Sequence, residues 1–280
     1  MTDLRKRMID DMTLNGLSPG TQKAYIDAVK ALAGHYNICP DKLTEPQIRE
    51  YLLYLAEIRK LAKSTLNVHV CAIRFLYQKT LYRPWPVLTL VRIRQDKKLP
   101  TVLSRDEVWE LLNLVRRETA RVSLLLMYTC GLRVSEATRL RKEDIDSRRM
   151  VVMVRNAKGS KDRYVPLPDY TLQQLRSYWQ KTHPQDFLFP DHNGRQPIKG
   201  YAVRRCLKAA QLQTTIRKQV GCHTLRHSYA THLLEKGVDL RVIQGLLGHK
   251  SLKTTFIYLH LTQATMVPVR AKIDELMRCQ

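Results

Sequence analysis

The sequence predicts a mainly α-helical protein of two domains, with a small β-hairpin in the second. Three observations carry this prediction. Apolar residues recur at helical spacing behind N-capping residues through most of the chain. A proline-rich break and a basic stretch interrupt this pattern shortly before residue 100. Beyond that break, two short runs of β-branched residues flank one glycine turn. The 280 residues suffice for two domains, which we place at 1–95 and 96–280.

Three helices are predicted in the first domain. Ser18 precedes a periodic apolar stretch from Ala24 to Leu32. Thr44-Glu-Pro-Gln47 is a capping box with proline in the first turn, and it opens a helix towards Arg59. Ser64 is the expected cap of a third helix with one apolar face. These helices form either a DNA-gripping module or a plain bundle with solvated lysines, and the local sequence favours neither.

A break separates the two domains. Prolines at 84 and 86 stop helix growth, because proline lacks the amide proton and restricts the residue before it. The basic stretch from Arg92 to Pro100 is either an interdomain linker that also tracks phosphates or an ordinary surface loop.

The second domain combines helices with one hairpin. Ser104-Arg-Asp-Glu107 is a capping box that opens helices reaching about Leu140. Met150–Val154 and Arg163–Leu167 are the predicted strands, with Gly159 at the turn between them. Further helices are predicted over 169–179, 201–210, 223–236, 239–247 and 251–260.

The net charge of the chain and its lack of long apolar segments limit the classes of function that it can have. Lysine and arginine total 48 against 25 acidic residues, which gives a net charge of +23 and a pI near 10.0. Such a protein most often binds a polyanion, usually nucleic acid; the alternative is a protein that its charge merely keeps soluble. The sequence has no apolar run of the ~20 residues that cross a bilayer, and the start has no apolar signal segment. We therefore expect a cytoplasmic protein without a membrane partner.

Six cysteines without a CxxC pair indicate reduced thiols rather than a disulfide framework. The sequence shows no GxxxxGK[ST] loop, GxSxG elbow or HExxH helix, so ATP hydrolysis, serine-esterase and zincin chemistry lack their usual signatures. We expect neither a cofactor nor a metal.

Four motifs contain the candidate chemistry. They are Gly131-Leu-Arg-Val-Ser-Glu136, the hairpin with Lys158 and Lys161, His223-Thr-Leu-Arg-His227, and Leu247-Gly-His249 followed by Tyr258. Each also has an ordinary structural interpretation. His223 and His227 share a helix face and can bind a metal, but no third ligand has motif spacing. The simpler interpretation of His227 is a core histidine whose hydrogen bonds are satisfied within the protein.

Together the motifs suit phosphoryl transfer. Arg133 and Arg226 can clamp the non-bridging oxygens of a phosphodiester with forked hydrogen bonds. Tyr258 can attack phosphorus once activated, and Lys158 can give a proton to the leaving oxygen. His223 and His249 can hydrogen-bond the phosphate or assist proton movement. Tyr229 is the second candidate nucleophile.

In order and spacing these motifs resemble the tyrosine recombinases, or phage integrase family, whose pattern is Arg, Lys, His-x-x-Arg, His or Trp, then Tyr. The resemblance is strong over about residues 100–265. Over residues 1–95 the chain resembles the family's core-binding domain only in length, helical content and position. The resemblance implies a SAM-like core-binding domain there. The compact two-domain layout is similar to the Xer and integron recombinases.

The resemblance implies a role for each residue. Arg133 and Arg226 would hold the scissile phosphate, supported by His223 and His249. Lys158 would be the general acid, and Tyr258 would form a covalent 3′-phosphotyrosyl link to DNA. The family's usual glycine before that lysine is Ala157 here, which leaves Lys161 as an alternative to Lys158.

The implied function is site-specific DNA recombination, serving integration, excision or resolution. The enzyme would act as a tetramer on two duplexes that carry inverted-repeat sites, with or without a second recombinase. The tail from Thr262 to Gln280 has apolar residues at helical spacing, and it would dock into a neighbouring subunit or pack within its own domain. The alternatives are a type IB topoisomerase-like enzyme and a catalytically idle DNA-binding regulator.

Overall fold

The computed structural model describes residues 2–83, 85–90, 99–155, 162–249 and 251–261. The chain divides into two compact units, Met1–Lys97 and Lys98–Gln280. The hairpin lysines Lys158 and Lys161, the stretch 91–98 and the tail from Thr262 lie outside the described residues. Within the described residues no helix is both long and apolar enough to cross a bilayer.

The first unit consists of helices. They are α1 (Asp3–Leu14), α2 (Pro19–Tyr36), α3 (Glu45–Leu53), α4 (Lys63–Phe75) and α5 (Val87–Leu90). Ser18, which precedes the predicted apolar stretch, caps α2, and the predicted capping box at Thr44 is confirmed. The Ser18 hydroxyl accepts from the backbone N–H of Thr21 at 3.3 Å, and the backbone N–H of Thr44 donates to the Gln47 side chain at 2.8 Å.

Two features of this unit differ from the prediction. Helix α4 begins at Lys63 behind Ala62, so Ser64 lies inside its first turn and is not the cap. Helix α1 was not predicted, because its buried apolar residues are few and give only a weak helical pattern. Met8 and Met12 nevertheless fix it to the core of the unit, where they pack with Leu32, Ile48, Tyr51, Ile73 and Tyr77.

The second unit contains most of the helices and the sheet. Its helices are α6 (Arg105–Asn113), α7 (Glu118–Thr129), α8 (Val134–Thr138), α9 (Asp169–Thr182), α10 (Gly200–Gln211), α11 (Cys222–Glu235), α12 (Leu240–Leu247) and α13 (Leu252–Thr255). The predicted capping box of α6 is confirmed, since the backbone N–H of Ser104 donates to Glu107 at 2.7 Å. The mainly helical fold with a small sheet is therefore confirmed.

The sheet has three antiparallel strands in the order β1 (Ile145–Asp146), β2 (Val151–Val154) and β3 (Arg163–Pro166). Val154 pairs with Arg163 and Val151 with Pro166, so β2 and β3 form the predicted pair. The two-residue β1 was not predicted, because so short a strand carries no alternation of its own.

Helix α7 forms the centre of this core. Its residues from Val122 to Met127 are all buried, which is the pattern of a helix covered on every side. Helix α11 packs against α7. Arg133 follows the end of α7, and Arg226 lies within α11.

One predicted helix is wrong in part. The segment 251–260 is a short α13 followed by a 3-10 turn at Phe256–Leu261. β-Branched and aromatic residues such as Thr255 and Phe256 are weaker helix formers than alanine or leucine, and the backbone N–H of Thr254 already bonds the carbonyl of Ser251 with 3-10 spacing at 3.1 Å. This turn contains Tyr258.

Candidate active site

A glycine turn positions Arg133 between α7 and α8. Gly131 has φ +63°, and a Cβ at this position would lie 2.5 Å from Cε1 of the Tyr229 ring. Only glycine fits both the backbone conformation and the space. Arg133 follows as the residue before α8, where its backbone N–H donates to the side chain of Glu136 at 2.8 Å.

Glu136 is the anion at the centre of three arginines. Its carboxylate accepts from Arg133 Nη1 at 2.7 Å and from Arg163 Nη2 at 2.8 Å, and Arg226 Nη1 lies 3.7 Å away. Burial would raise the pKa of this carboxyl, but the hydrogen bonds from Arg163 and Arg133 hold it at about 2. Three guanidiniums against one carboxylate leave an excess of positive charge, which suits an anionic ligand.

The same three arginines also hold the end of α12. Arg163 Nε donates to the carbonyl of Leu246 at 2.7 Å, and Arg226 Nη2 donates to that of Leu247 at 2.5 Å. Arg133 Nη2 reaches the carbonyl of Gly248 at 3.5 Å. The free carbonyls of a helix C-terminus carry partial negative charge, so cations are favourable there.

Arg226 is the most deeply buried of the three, with 3% of its side chain exposed. Its Nη1 also donates to the carbonyl of Gly131 at 2.6 Å. Burial first, and then the neighbouring Arg133, lower its pKa to about 10, so it remains a cation at neutral pH. A guanidinium has five N–H donors, so donors remain for a phosphate oxygen. Arg133 is more accessible, at 32%.

Tyr258 is buried beside this cluster, with 1% of its surface exposed. Its hydroxyl lies 3.0 Å from Nδ1 of His227, and its ring stacks on that of His249 with centroids 6.4 Å apart. Burial raises the pKa of the hydroxyl, while Arg226 and Arg133 oppose that rise. The predicted alternative, Tyr229, packs against Gly131, and burial raises its pKa to about 12.

Two further histidines border the site. His223 lies in the first turn of α11, with its ring centroid 6.4 Å from that of His227. Burial, Arg226 and Arg133 lower its pKa. His249 follows the left-handed Gly248 and pairs its Nδ1 with the Thr255 hydroxyl at 3.0 Å. Burial and the same two arginines lower its pKa to about 4.

The structure thus brings together five of the six predicted site residues, namely Arg133, His223, Arg226, His249 and Tyr258. The sixth, Lys158, lies outside the described residues, as does its alternative Lys161. Among the described residues no three histidine, cysteine, aspartate or glutamate side chains group closely enough to hold a metal ion.

Sequence reasoning gave no role to two residues of the cluster. Glu136 stands at the third position of a helix, three residues after Arg133, and that spacing was an available signal for a capping interaction. Arg163 opens a β-strand, and nothing local indicates that its side chain reaches Glu136 and α12.

Two models of known protein families match most of this chain. The model of the phage integrase family matches residues 101–265, and that of the phage integrase N-terminal SAM-like domain matches residues 4–87. The chain belongs to the phage integrase family. The candidate integrase/recombinase y4qK of Sinorhizobium fredii is 44% identical over 263 residues, covering 93% of this chain and 85% of the relative.

Other members of the phage integrase family extend the comparison. Tyrosine recombinase XerD of Oceanobacillus iheyensis is 36% identical over 242 residues, covering 81% of this chain and 80% of the relative. The structure of the XerH site-specific recombinase, in a post-cleavage complex with palindromic difH substrate, is similar with a TM-score of 0.65 and 25% identity. That match covers 84% of this chain and 73% of the XerH chain.

Proposed function

We propose that this chain is a site-specific DNA recombinase that cleaves and rejoins duplex DNA through a covalent 3′-phosphotyrosyl intermediate. The observation that carries the proposal is the placement of one buried tyrosine hydroxyl within the electrostatic field of the arginine cluster. The Tyr258 hydroxyl lies 3.0 Å from His227, and the charges of Arg226 and Arg133 act on it. A nucleophile beside fixed cations is what transfer of a phosphodiester needs.

The chemistry divides among the predicted residues. Arg133 and Arg226 hold the non-bridging oxygens of the scissile phosphate and stabilise the charge that develops there. The Tyr258 oxygen forms a bond to phosphorus while the bond to the 5′ oxygen breaks. His223 and His249, both kept neutral by burial and the arginines, donate hydrogen bonds to the phosphate.

We assign the general acid to Lys158, the lysine that the family pattern places between β2 and β3. It would give its proton to the leaving 5′ oxygen. The support from the described residues is indirect. Arg163, the first residue of β3, donates a hydrogen bond to Glu136 within the arginine cluster, so the start of β3 lies at the site. Lys161 is the alternative general acid, and separate mutation of Lys158 and of Lys161 distinguishes the two assignments.

The partners follow from charge and from the relatives. A net charge of +23 favours extensive contact with DNA phosphates. The relative XerH is described on a palindromic substrate, so we propose inverted-repeat sites bound by a tetramer that joins two duplexes, in the cytoplasm. The first unit, 1–95 in our division, would grip the DNA as the core-binding domain, and 96–280 would perform the chemistry.

The test is a covalent trap. A binding site is first selected from random duplexes by gel shift with the full-length chain, and a nicked version of that site then prevents religation. We expect a protein–DNA adduct that resists denaturation and that Tyr258→Phe abolishes while retaining DNA binding. Tyr229→Phe is the matched control, since it also removes a buried hydroxyl, and it should keep the adduct.

Other outcomes would assign the chain differently. DNA binding without any adduct from the unaltered chain would support the idle regulator. Relaxation of supercoiled DNA without dependence on the selected site would support a type IB topoisomerase. Adduct formation that survives in Tyr258→Phe and disappears in Tyr229→Phe would move the nucleophile to Tyr229.

A further inference from the structure

We propose that His227 is the base that accepts the proton of the Tyr258 hydroxyl during cleavage. This role rests on the proposed function and deepens it, because it concerns the step in which the tyrosine becomes a nucleophile. It also separates His227 from His223, which the family pattern names, although both lie on one face of α11.

Geometry selects His227 among the three histidines of the site. Its Nδ1 lies 3.0 Å from the Tyr258 hydroxyl oxygen, within the reach that proton transfer needs. The ring of His223 lies one turn earlier on α11, with its centroid 6.4 Å from that of His227. His249 stacks its ring on Tyr258 and pairs its Nδ1 with Thr255 instead.

The charged surroundings keep His227 able to accept a proton. Burial, then His223 and Arg226 on its own helix, lower its pKa to about 4, so the imidazole is neutral at physiological pH. Tyr258 and His249 face it from the following segments, and Arg133 and Arg226 are the two positive charges that act on the tyrosine. A bound DNA phosphate brings negative charge beside the ring and raises the pKa of His227 towards neutrality.

The proton balance of the step is complete. The Tyr258 O–H proton moves to Nδ1 of His227 as the tyrosine oxygen bonds to phosphorus. The bond from phosphorus to the 5′ oxygen breaks, and that oxygen takes a proton from the general acid. In religation the 5′ hydroxyl returns its proton to the deprotonated general acid as its oxygen bonds to phosphorus. The bond from phosphorus to the tyrosine oxygen breaks, and that oxygen recovers its proton from His227.

The chain offers a matched control on the same helix. His232 also places Nδ1 3.0 Å from a tyrosine hydroxyl, that of Tyr128, and burial also lowers its pKa. Tyr128 belongs to α7, and among the described residues the hydrogen bonds and ion pairs of the arginine cluster do not include Tyr128 or His232. A substitution of His232 therefore removes an equivalent buried pair while leaving the chemistry intact.

The experiment compares His227→Asn with His232→Asn. The probe is the nicked duplex carrying the selected site, at saturating full-length protein, so that the rate of adduct formation is independent of affinity. We expect His227→Asn to slow adduct formation about 10²-fold, the usual contribution of a general base. His232→Asn should stay within about threefold of the unaltered chain. Gel shift and thermal unfolding are the controls that test whether both variants fold and bind DNA.

A second substrate separates attack from departure. With sulfur in place of the bridging 5′ oxygen, the leaving thiolate needs no proton, because thiols are far more acidic than alcohols. This substrate should restore a variant that lacks the general acid, Lys158→Ala, but leave His227→Asn slow. Restoration of His227→Asn would show that His227 serves the leaving group, and the proposal would be overturned.

A measurement on the unaltered histidine covers the case in which His227→Asn does not fold. In ¹⁵N-labelled protein, His227 should be neutral with its proton on Nε2, and Tyr258→Phe should shift its Nδ1 resonance. A proton on Nδ1 would make His227 the donor and refute the proposal, as would an adduct rate of His227→Asn near that of the unaltered chain. Failure of the unaltered chain to form any adduct would instead refute the proposed function.

Discussion

Glu136 makes the strongest prediction about stability, because it balances three guanidiniums in the protein interior. We consider Glu136→Gln, which keeps the shape of the side chain and removes its charge. The carboxyl has 6% of its side chain exposed, and its pKa is held at about 2 rather than the ordinary 4.5. That difference corresponds to about 3 kcal/mol of stabilisation above the ordinary pKa.

The expected loss at neutral pH is therefore about 3 kcal/mol, with repulsion between Arg163 and Arg226 as its physical origin. The pKa of Glu136 is lower in the folded chain, so its contribution is present above pH 4.5 and is lost as the pH falls towards about 2. The difference between Glu136→Gln and the unaltered chain should accordingly shrink on acidification.

Urea unfolding followed by tryptophan fluorescence measures this loss. A Trp85→Phe background leaves Trp109 and Trp179, both in the second unit, as the reporters. Glu118→Gln is the matched control: its carboxylate, 30% exposed, pairs with Arg121 and Lys181 at the surface, and its loss should cost less than about 1 kcal/mol. A cost for Glu136→Gln as small as that of the control would refute the reasoning.

Three further predictions concern the turn, the charge and the absence of a metal. Gly131→Ala should destabilise the second unit by at least about 2 kcal/mol and stop adduct formation, because strain adds to a clash with Tyr229; Gly16→Ala, with a similar φ of +67° but open space around it, is the control in thermal unfolding. DNA binding should weaken with salt at a slope of about −0.9 in log K against log salt per neutralised phosphate, and a flat response in gel shifts would place the charge away from the interface. Adduct formation should continue in EDTA and without ATP, since arginines supply the charge stabilisation; restoration of a lost activity by added Mg²⁺ would contradict this.

The sequence was sufficient for the residues whose spacing repeats a known pattern. That Arg133, Arg226 and Tyr258 lie together could be predicted because each belongs to a short motif and their chemistry is mutually consistent. The helices with clear caps, such as α3 and α6, were predictable for a related reason: a capping box acts within four residues and needs no tertiary contact.

What sequence could not give is the set of contacts that join distant segments. Arg163 reaches both Glu136 and Leu246, and no local property of a strand residue predicts either contact. Likewise, His223 and His227 are equivalent by helical spacing, and the 3-10 turn around Tyr258 decides which of them meets the hydroxyl. That turn was predicted as helix, because tertiary packing outweighs weak local propensity there.

The arginine contacts with α12 have a consequence for how this region tolerates change. All three guanidiniums bind main-chain carbonyls, at 246, 247 and 248, so the recognised feature is the path of the backbone. Exchanging the side chain of Leu246 leaves its carbonyl in place. Inserting one residue upstream in α12 would turn these carbonyls by about 100° around the helix axis and misalign all three at once. This part of the gene should therefore accumulate point substitutions far more readily than insertions or deletions.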